Sequence, residues 1–101
     1  MAKYVKVAKL SELPAGSCRE FQADGKVIAV FNVNGTVYAL DNTCLHRGGP
    51  LGQGGLEGEV VTCPWHGWQY NVTTGAAAFN EQIKVETYEV KLEGEDILVG
   101  F

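Results

Sequence analysis

The sequence predicts an all-β fold: an antiparallel β-sandwich or barrel base with a glycine-rich subdomain inserted between two of its strands. Three observations predict it. Short runs that alternate apolar and polar residues recur at both ends of the chain. Two-residue Asp24-Gly25 and Asn34-Gly35 steps join three of these runs, and such pairs are hairpin-turn formers. Residues 42–80 break the alternation and hold eight of the thirteen glycines, so they read as loops carried on the strands. No segment shows a convincing helical pattern, and 101 residues make one domain.

Residues 4–8 alternate and form the first predicted strand, and Leu13-Pro14-Ala15-Gly16 ends a short connection. Residues 18–23 and 26–33 flank the Asp-Gly turn. The run Val27 to Val33 then meets the Asn-Gly turn, followed by 36–40, which makes a β-meander. Near the end, residues 85–92 alternate, with Tyr88, Val90 and Leu92 on the face expected to be buried. Gly94-Glu95-Asp96 turns the chain into Ile97-Leu98-Val99. Both ends are expected in one sheet system, giving a base of residues 1–41 and 81–101 and an insert of 42–80. Within the insert, Thr73-Thr74-Gly75 reads as a hairpin turn, and Asp41 and Asn42, just ahead of Cys44, read as turn formers.

Composition excludes several classes. Apolar residues make up 46% of the chain, too many for a disordered tail. A net charge of −4 with no run of Lys or Arg argues against nucleic-acid binding and suits the basic docking face of a protein partner. The N-terminus lacks the apolar core of a secretion signal, and no stretch approaches the roughly 20 apolar residues that span a bilayer. Three cysteines do not make a disulfide framework. The expectation is a cytoplasmic monomer with no membrane partner.

The chemistry concentrates in four residues. Cys44-Leu45-His46 and Cys63-Pro64-Trp65-His66 are two short Cys/His pairs separated by sixteen residues, and they take up both histidines of the chain. Residues two apart do not share a helix face, so C-x-H reads as a clasp in a loop. Each loop offers one thiolate and one imidazole, and two facing loops offer four ligands. Such a mixed set suits an asymmetric two-iron cluster. It also suits zinc, although common zinc spacings pair like with like, C-x2-C with H-x3–5-H. The glycines between the pairs permit close backbone approach, here expected towards bridging sulfides, and Pro50 and Pro64 stiffen the loops.

The pattern C-x-H…C-x-x-H resembles the signature of the Rieske [2Fe–2S] family, and the layout of a β frame with two glycine-rich loops is similar to the Rieske-type fold. The resemblance implies one [2Fe–2S] cluster per chain, with Cys44 and Cys63 on a buried iron and His46 and His66 on an outer one. Two thiolates leave the oxidised centre neutral where four would leave it doubly negative, so an electron is taken up more easily; the family spans about −150 to +300 mV. High-potential members carry a disulfide between the loops, at positions that are Gly49 and Trp65 here. They also carry a serine that donates to a sulfide where this chain has Trp68. Tyr70 matches a tyrosine whose hydroxyl reaches a ligating sulfur. The missing disulfide and serine lower the expected potential and Tyr70 raises it somewhat, so it is expected in the lower half of the range but not at its floor. Trp65 reads either as an apolar rim for a docking partner or as packing, Trp68 as packing, and Leu45 and Leu51 as shielding alongside ordinary packing. Cys18 reads as a small buried hydrophobe.

With no third histidine, the chain cannot build a separate 2-His-1-carboxylate iron site, so it is not itself an oxygenase. It resembles the small ferredoxins of multicomponent aromatic-hydrocarbon dioxygenases. These are one-electron carriers, not enzymes, that meet a flavoprotein reductase and a terminal oxygenase transiently. Two rivals stand beside this: the Rieske-like small subunit of an assimilatory nitrite reductase, members of which often lack the ligands kept here, and a structural zinc module for protein interaction.

Overall fold

The computed structural model describes residues 3–23, 25–43, 50–65 and 67–100. Eleven strands are described, with only two short 3₁₀ turns, Leu10–Glu12 and Leu51–Gln53, for helix. The base is built from β1 (Tyr4–Lys9), β2 (Cys18–Ala23), β3 (Lys26–Val33), β4 (Thr36–Asp41), β10 (Thr87–Glu93) and β11 (Asp96–Gly100). They form one antiparallel sheet in the order β1-β11-β10-β4-β3-β2. Its edge strands β1 and β2 approach one another, so the sheet curls nearly into a barrel. Both chain ends share this sheet, as the alternation predicts. At the β3–β4 turn Asn34 and Gly35 both take positive φ, 55° and 98°, which suits the right-handed twist of a hairpin and explains the Asn-Gly pair. Asp24 of the other predicted turn lies outside the described residues.

Between β4 and β10 the chain builds a second antiparallel sheet, β5 (Gly55–Glu57), β6 (Val60–Thr62), β7 (Gln69–Asn71), β8 (Ala76–Ala77) and β9 (Asn80–Lys84), in sequential order. The Thr73-Thr74-Gly75 hairpin lies between β7 and β8, where the Asn71 carbonyl accepts the Gly75 N–H at 2.7 Å.

Strand β3 is buried on both faces, which is why its sequence is a nearly continuous apolar run. Ile28 and Val30 face the barrel interior with Ala8, Leu13, Val37, Ala39, Ile97 and Val99. The alternate residues Ala29 and Phe31 join Leu40, Leu51, Val61, Cys63, Tyr70, Val72, Ala77 and Val85 in a second core between the two sheets. Full burial of a side chain such as Phe31 contributes about 1.5–3 kcal/mol, so this second core is what fixes the inserted sheet to the base. The expectation for Tyr88, Val90 and Leu92 holds in part. Tyr88 and Val90 pack against the barrel core, but Leu92 is 42% exposed. β10 pairs with β4 only at Thr87 and Tyr88, so its far half overhangs the core.

Candidate metal centre

The first Cys/His loop grows out of the end of β4. The Asp41 carboxylate accepts the Thr43 N–H at 3.0 Å, a local turn of the kind its sequence position suggests. Thr43 then pairs with Pro50 in an isolated antiparallel bridge, and the Asn42 carbonyl accepts the Leu51 N–H at 2.8 Å. The chain thus leaves and returns side by side. Residues 44–49 between these rungs, Cys44, Leu45, His46 and Gly49 among them, lie outside the described residues. The returning chain makes the 3₁₀ turn Leu51–Gln53 against β2. A β-carbon at Gly52 would stand 2.7 Å from the Glu20 backbone nitrogen. One at Gly54 would overlap the Thr62 carbonyl oxygen. These two glycines serve close approach between protein segments, where the sequence predicts approach to bridging sulfides.

The second loop joins β6 to β7. Cys63 follows β6 directly, and its N–H donates to the Trp68 carbonyl at 2.7 Å, which closes the loop at its root. Gly67 takes a φ of +77° inside it, and His66 lies outside the described residues. Cys63 is 1% exposed and packs in the inter-sheet core with Leu51, Val61 and Tyr70. Leu51 is the residue after Pro50, so the roots of the two loops meet in one packed cluster. Leu51 is fully buried in the inter-sheet core.

The aromatic residues divide by environment. Trp68 is half-buried against the inter-sheet core and meets the Phe79 ring edge-on, centroids 4.7 Å apart, so it packs as expected. Trp65 is 50% exposed beside the loop, and Phe79 is 59% exposed. Phe79 carries no motif and lies at the β8–β9 turn, so nothing in its local sequence marks it. Tyr70 is fully buried in the same cluster as Cys63. Cys18 is only half-buried: it packs at the edge of this core, its Sγ 3.4 Å from the Gly54 carbonyl oxygen, and burial raises its thiol pKa.

Of the four predicted ligands, then, Cys63 is described and Cys44, His46 and His66 are not. What is described fits an iron–sulfur group. Cys63, the predicted sulfur ligand that is described, is shielded from water among apolar side chains, a setting that suits a thiolate on an inner iron, and both loops are anchored at the same core. The donor set of two thiols and two imidazoles suits such a centre chemically. Asn42, predicted only as a turn former, and Glu20, which no motif marks, together hold the first loop. Asn42 is buried, its Oδ1 accepting the Gly52 N–H at 2.7 Å and its Nδ2 donating to Glu20 at 2.7 Å. Glu20 lies twenty-two residues away on β2, and no local pattern links the two.

Comparison with known proteins agrees with this centre. A model of the Rieske [2Fe-2S] domain matches residues 3–98. The ferredoxin component of the naphthalene 1,2-dioxygenase system of Pseudomonas aeruginosa is 34% identical over 98 residues, covering 96% of this chain and 94% of that protein. Among solved structures, the ferredoxin of carbazole 1,9a-dioxygenase from Nocardioides aromaticivorans IC177 superposes with a TM-score of 0.88 at 34% identity, covering 96% of each chain. A chain from the complex of reduced oxygenase and oxidised ferredoxin in carbazole 1,9a-dioxygenase superposes with a TM-score of 0.87 at 32% identity, covering 95% of this chain and 91% of that one.

Proposed function

The chain belongs to the Rieske [2Fe–2S] family, and from that premise we propose that it is the electron-carrying ferredoxin of an aromatic-ring dioxygenase system. In this reading it is a cytoplasmic monomer that takes single electrons from a flavoprotein reductase and passes them to a terminal oxygenase. The observation that carries the reading is Cys63, buried at the root of one Cys/His loop and sharing one core cluster with Leu51 at the root of the other. The near-complete overlap with ferredoxin components of similar length supports it further. The capture of a ferredoxin with its oxygenase in the carbazole system supports the choice of acceptor.

We assign Cys44 and Cys63 to the inner iron and His46 and His66 to the outer one. When bound, the cluster supplies a reversible one-electron couple. The protein's part is to hold and shield it. Cys63 contributes a thiolate in an apolar setting, and the Trp68 carbonyl fixes the loop root through the Cys63 N–H. Trp65, half-exposed next to His66, offers an apolar rim on which the acceptor docks. The functional division is a β base carrying a cluster-binding insert, expected over 42–80; the last strand of the inserted sheet extends that insert to Lys84, and the base resumes at Thr87. No helix among the described residues is long and apolar enough to cross a membrane.

The test is voltammetry of the purified protein with metal and sulfide analysis, repeated on Cys63→Ser. The expected result is equal iron and acid-labile sulfide, a reversible one-electron wave below about +150 mV, and loss of both in the variant. Zinc in place of iron, with no wave, would hand the four residues to a structural site instead.

A further inference from the structure

We propose that Glu20 is a positioning residue for the first cluster loop: its carboxylate, on β2 of the base, clamps the entry and the exit of that loop together. This rests on the electron-carrier reading above. Oε2 of Glu20 accepts from Asn42 Nδ2 at 2.7 Å, and Oε1 accepts from Gln53 Nε2 at 2.6 Å. Asn42 stands two residues before Cys44, and Gln53 ends the 3₁₀ turn through which the loop returns. One carboxylate therefore holds both roots of the loop from a third strand.

The arrangement is redundant around one point. Asn42 is 7% exposed, and besides donating to Glu20 it accepts the Gly52 N–H at 2.7 Å. Gly52 in turn lies on the backbone of Glu20 itself, where any β-carbon would collide with the Glu20 nitrogen and Cβ. Glu20 is fixed in the sheet by its pairing with Ala29, whose side chain belongs to the inter-sheet core that contains Cys63. The loop that carries Cys44 and His46 is thus referenced to the same strand pair as Cys63. A metal centre needs its ligands held by such outer contacts, because a ligand free to move loosens the metal and spreads its electronic environment.

A carboxylate is the right group for this place. Its partners are two amide NH2 groups, both donors, and a carboxylate offers two acceptor oxygens. Glu20→Gln keeps the shape and sets one NH2 against another. Gln53→Met removes one of the two bonds without any change of charge. The double variant Glu20→Gln/Gln53→Glu turns the second bond around, the new amide donating to the new carboxylate and still accepting from Asn42.

The experiment measures three properties on the holoprotein of the wild type and these variants. They are the rate of cluster release to an iron chelator, the electron paramagnetic resonance line shape of the reduced cluster, and the far-ultraviolet circular dichroism that reports the β base. Loss of one hydrogen bond of ordinary net strength corresponds to about a fivefold change. Gln53→Met is expected to release its cluster roughly that much faster, and Glu20→Gln faster still. Both should show broadened resonance lines with unchanged dichroism. The double variant is expected to return both readouts to near the wild-type values. Release rates and line shapes equal to wild type in both single variants would overturn the clamp. So would faster release in the single variants that the double variant fails to restore, since packing and not the bonds would then be responsible. A wild type that holds no iron–sulfur cluster overturns the electron-carrier reading, and the clamp with it; a wild type that holds one leaves that reading standing whatever the variants do.

Discussion

Tyr4 and Glu89 hydrogen-bond to one another across a strand to which neither belongs. Tyr4 lies on β1 and Glu89 on β10, and both pair with Gly100 of β11, one from each side. The Tyr4 hydroxyl reaches over that glycine and donates to Glu89 Oε2 at 2.6 Å, while the Lys91 ammonium lies 5.7 Å from the centre of the Tyr4 ring. A strand position without a side chain is what leaves the path open. The bond ties together three strands of the base at the edge where β10 overhangs the core.

That bond gives the fold an alkaline sensitivity. The hydrogen bond to Glu89 holds the phenol proton and raises the Tyr4 pKa above its ordinary value of 10.0. A pKa raised in the folded state means that the folded protein keeps the proton more tightly than the unfolded chain. The contribution is therefore complete below about pH 10 and is lost as pH climbs through the raised value. Tyr88 adds in the same direction, through its burial and the nearby Glu86 and Asp41 carboxylates. Urea unfolding at about pH 9 and about pH 11 should show a larger loss of stability for the wild type than for Tyr4→Phe. Equal losses in the two proteins would count against the assignment.

Gly54→Ala should destabilise the protein by about 1–3 kcal/mol, because the new methyl meets the Thr62 carbonyl, a backbone atom that cannot swing aside. Gly55 has open space around it, and Gly55→Ala should stay within about 0.5 kcal/mol of wild type. Chemical denaturation of the pair checks this, and a Gly54 variant as stable as the Gly55 variant would show that the inserted sheet is looser than its packing implies.

The two tryptophans should separate stability from electron delivery. Trp68→Ala removes a half-buried ring from the inter-sheet core and from its edge contact with Phe79, and should cost about 2–3 kcal/mol. Trp65→Ala removes a ring that is 50% exposed and should leave the unfolding midpoint nearly unchanged. Its effect should appear instead in the second-order rate of electron transfer to a terminal oxygenase, which stopped-flow mixing measures. An unchanged rate would remove Trp65 from the docking rim.

Cys18 should be a poor nucleophile. Burial raises its thiol pKa, so the folded protein holds less thiolate at neutral pH than a free cysteine would. Alkylation of Cys18 by iodoacetamide, followed by mass spectrometry at about pH 8, should run slower in the native protein than in urea. Cys18→Ala should leave the iron content unchanged, since the thiol meets the protein at the Gly54 carbonyl.

The base was legible because its signals are local. The run of residues 18–23, the run 26–33 and the Asn-Gly turn match β2, β3 and their neighbour closely, since alternation and positive-φ turn residues act within a few positions. The strands of the insert were not legible. β5, β6 and β7 are three residues each and β8 is two, too short for any period to show among the glycines, so residues 42–80 read as loops. The C-x-H and C-x-x-H pairs are visible to the eye for the same local reason, and three of those four residues lie outside the described part of the chain. The contacts that hold the first loop join Asn42 and Gln53 to Glu20, across more than twenty residues, and only the folded chain brings them together. Leu92 marks the opposite failure. Its alternation is correct, but the core ends before the strand does.

The chain departs from the base at Asp41 and rejoins it at Thr87, on two strands that already lie side by side, and the Asp41 N–H donates to the Glu86 carbonyl at 2.8 Å. By connectivity alone the excursion between them is a cassette, and a two- or three-residue shortcut could close the gap (about the span of an ordinary hairpin turn). Energetically it is no cassette. Excision would bare Ala29, Phe31 and Leu40 along a whole face of the remaining sheet, a sticky surface of the kind that drives aggregation. Transplanting the redox unit into another scaffold therefore means transplanting its floor as well: a recipient sheet must offer the outer face of β3 and β4, not merely two adjacent strand ends.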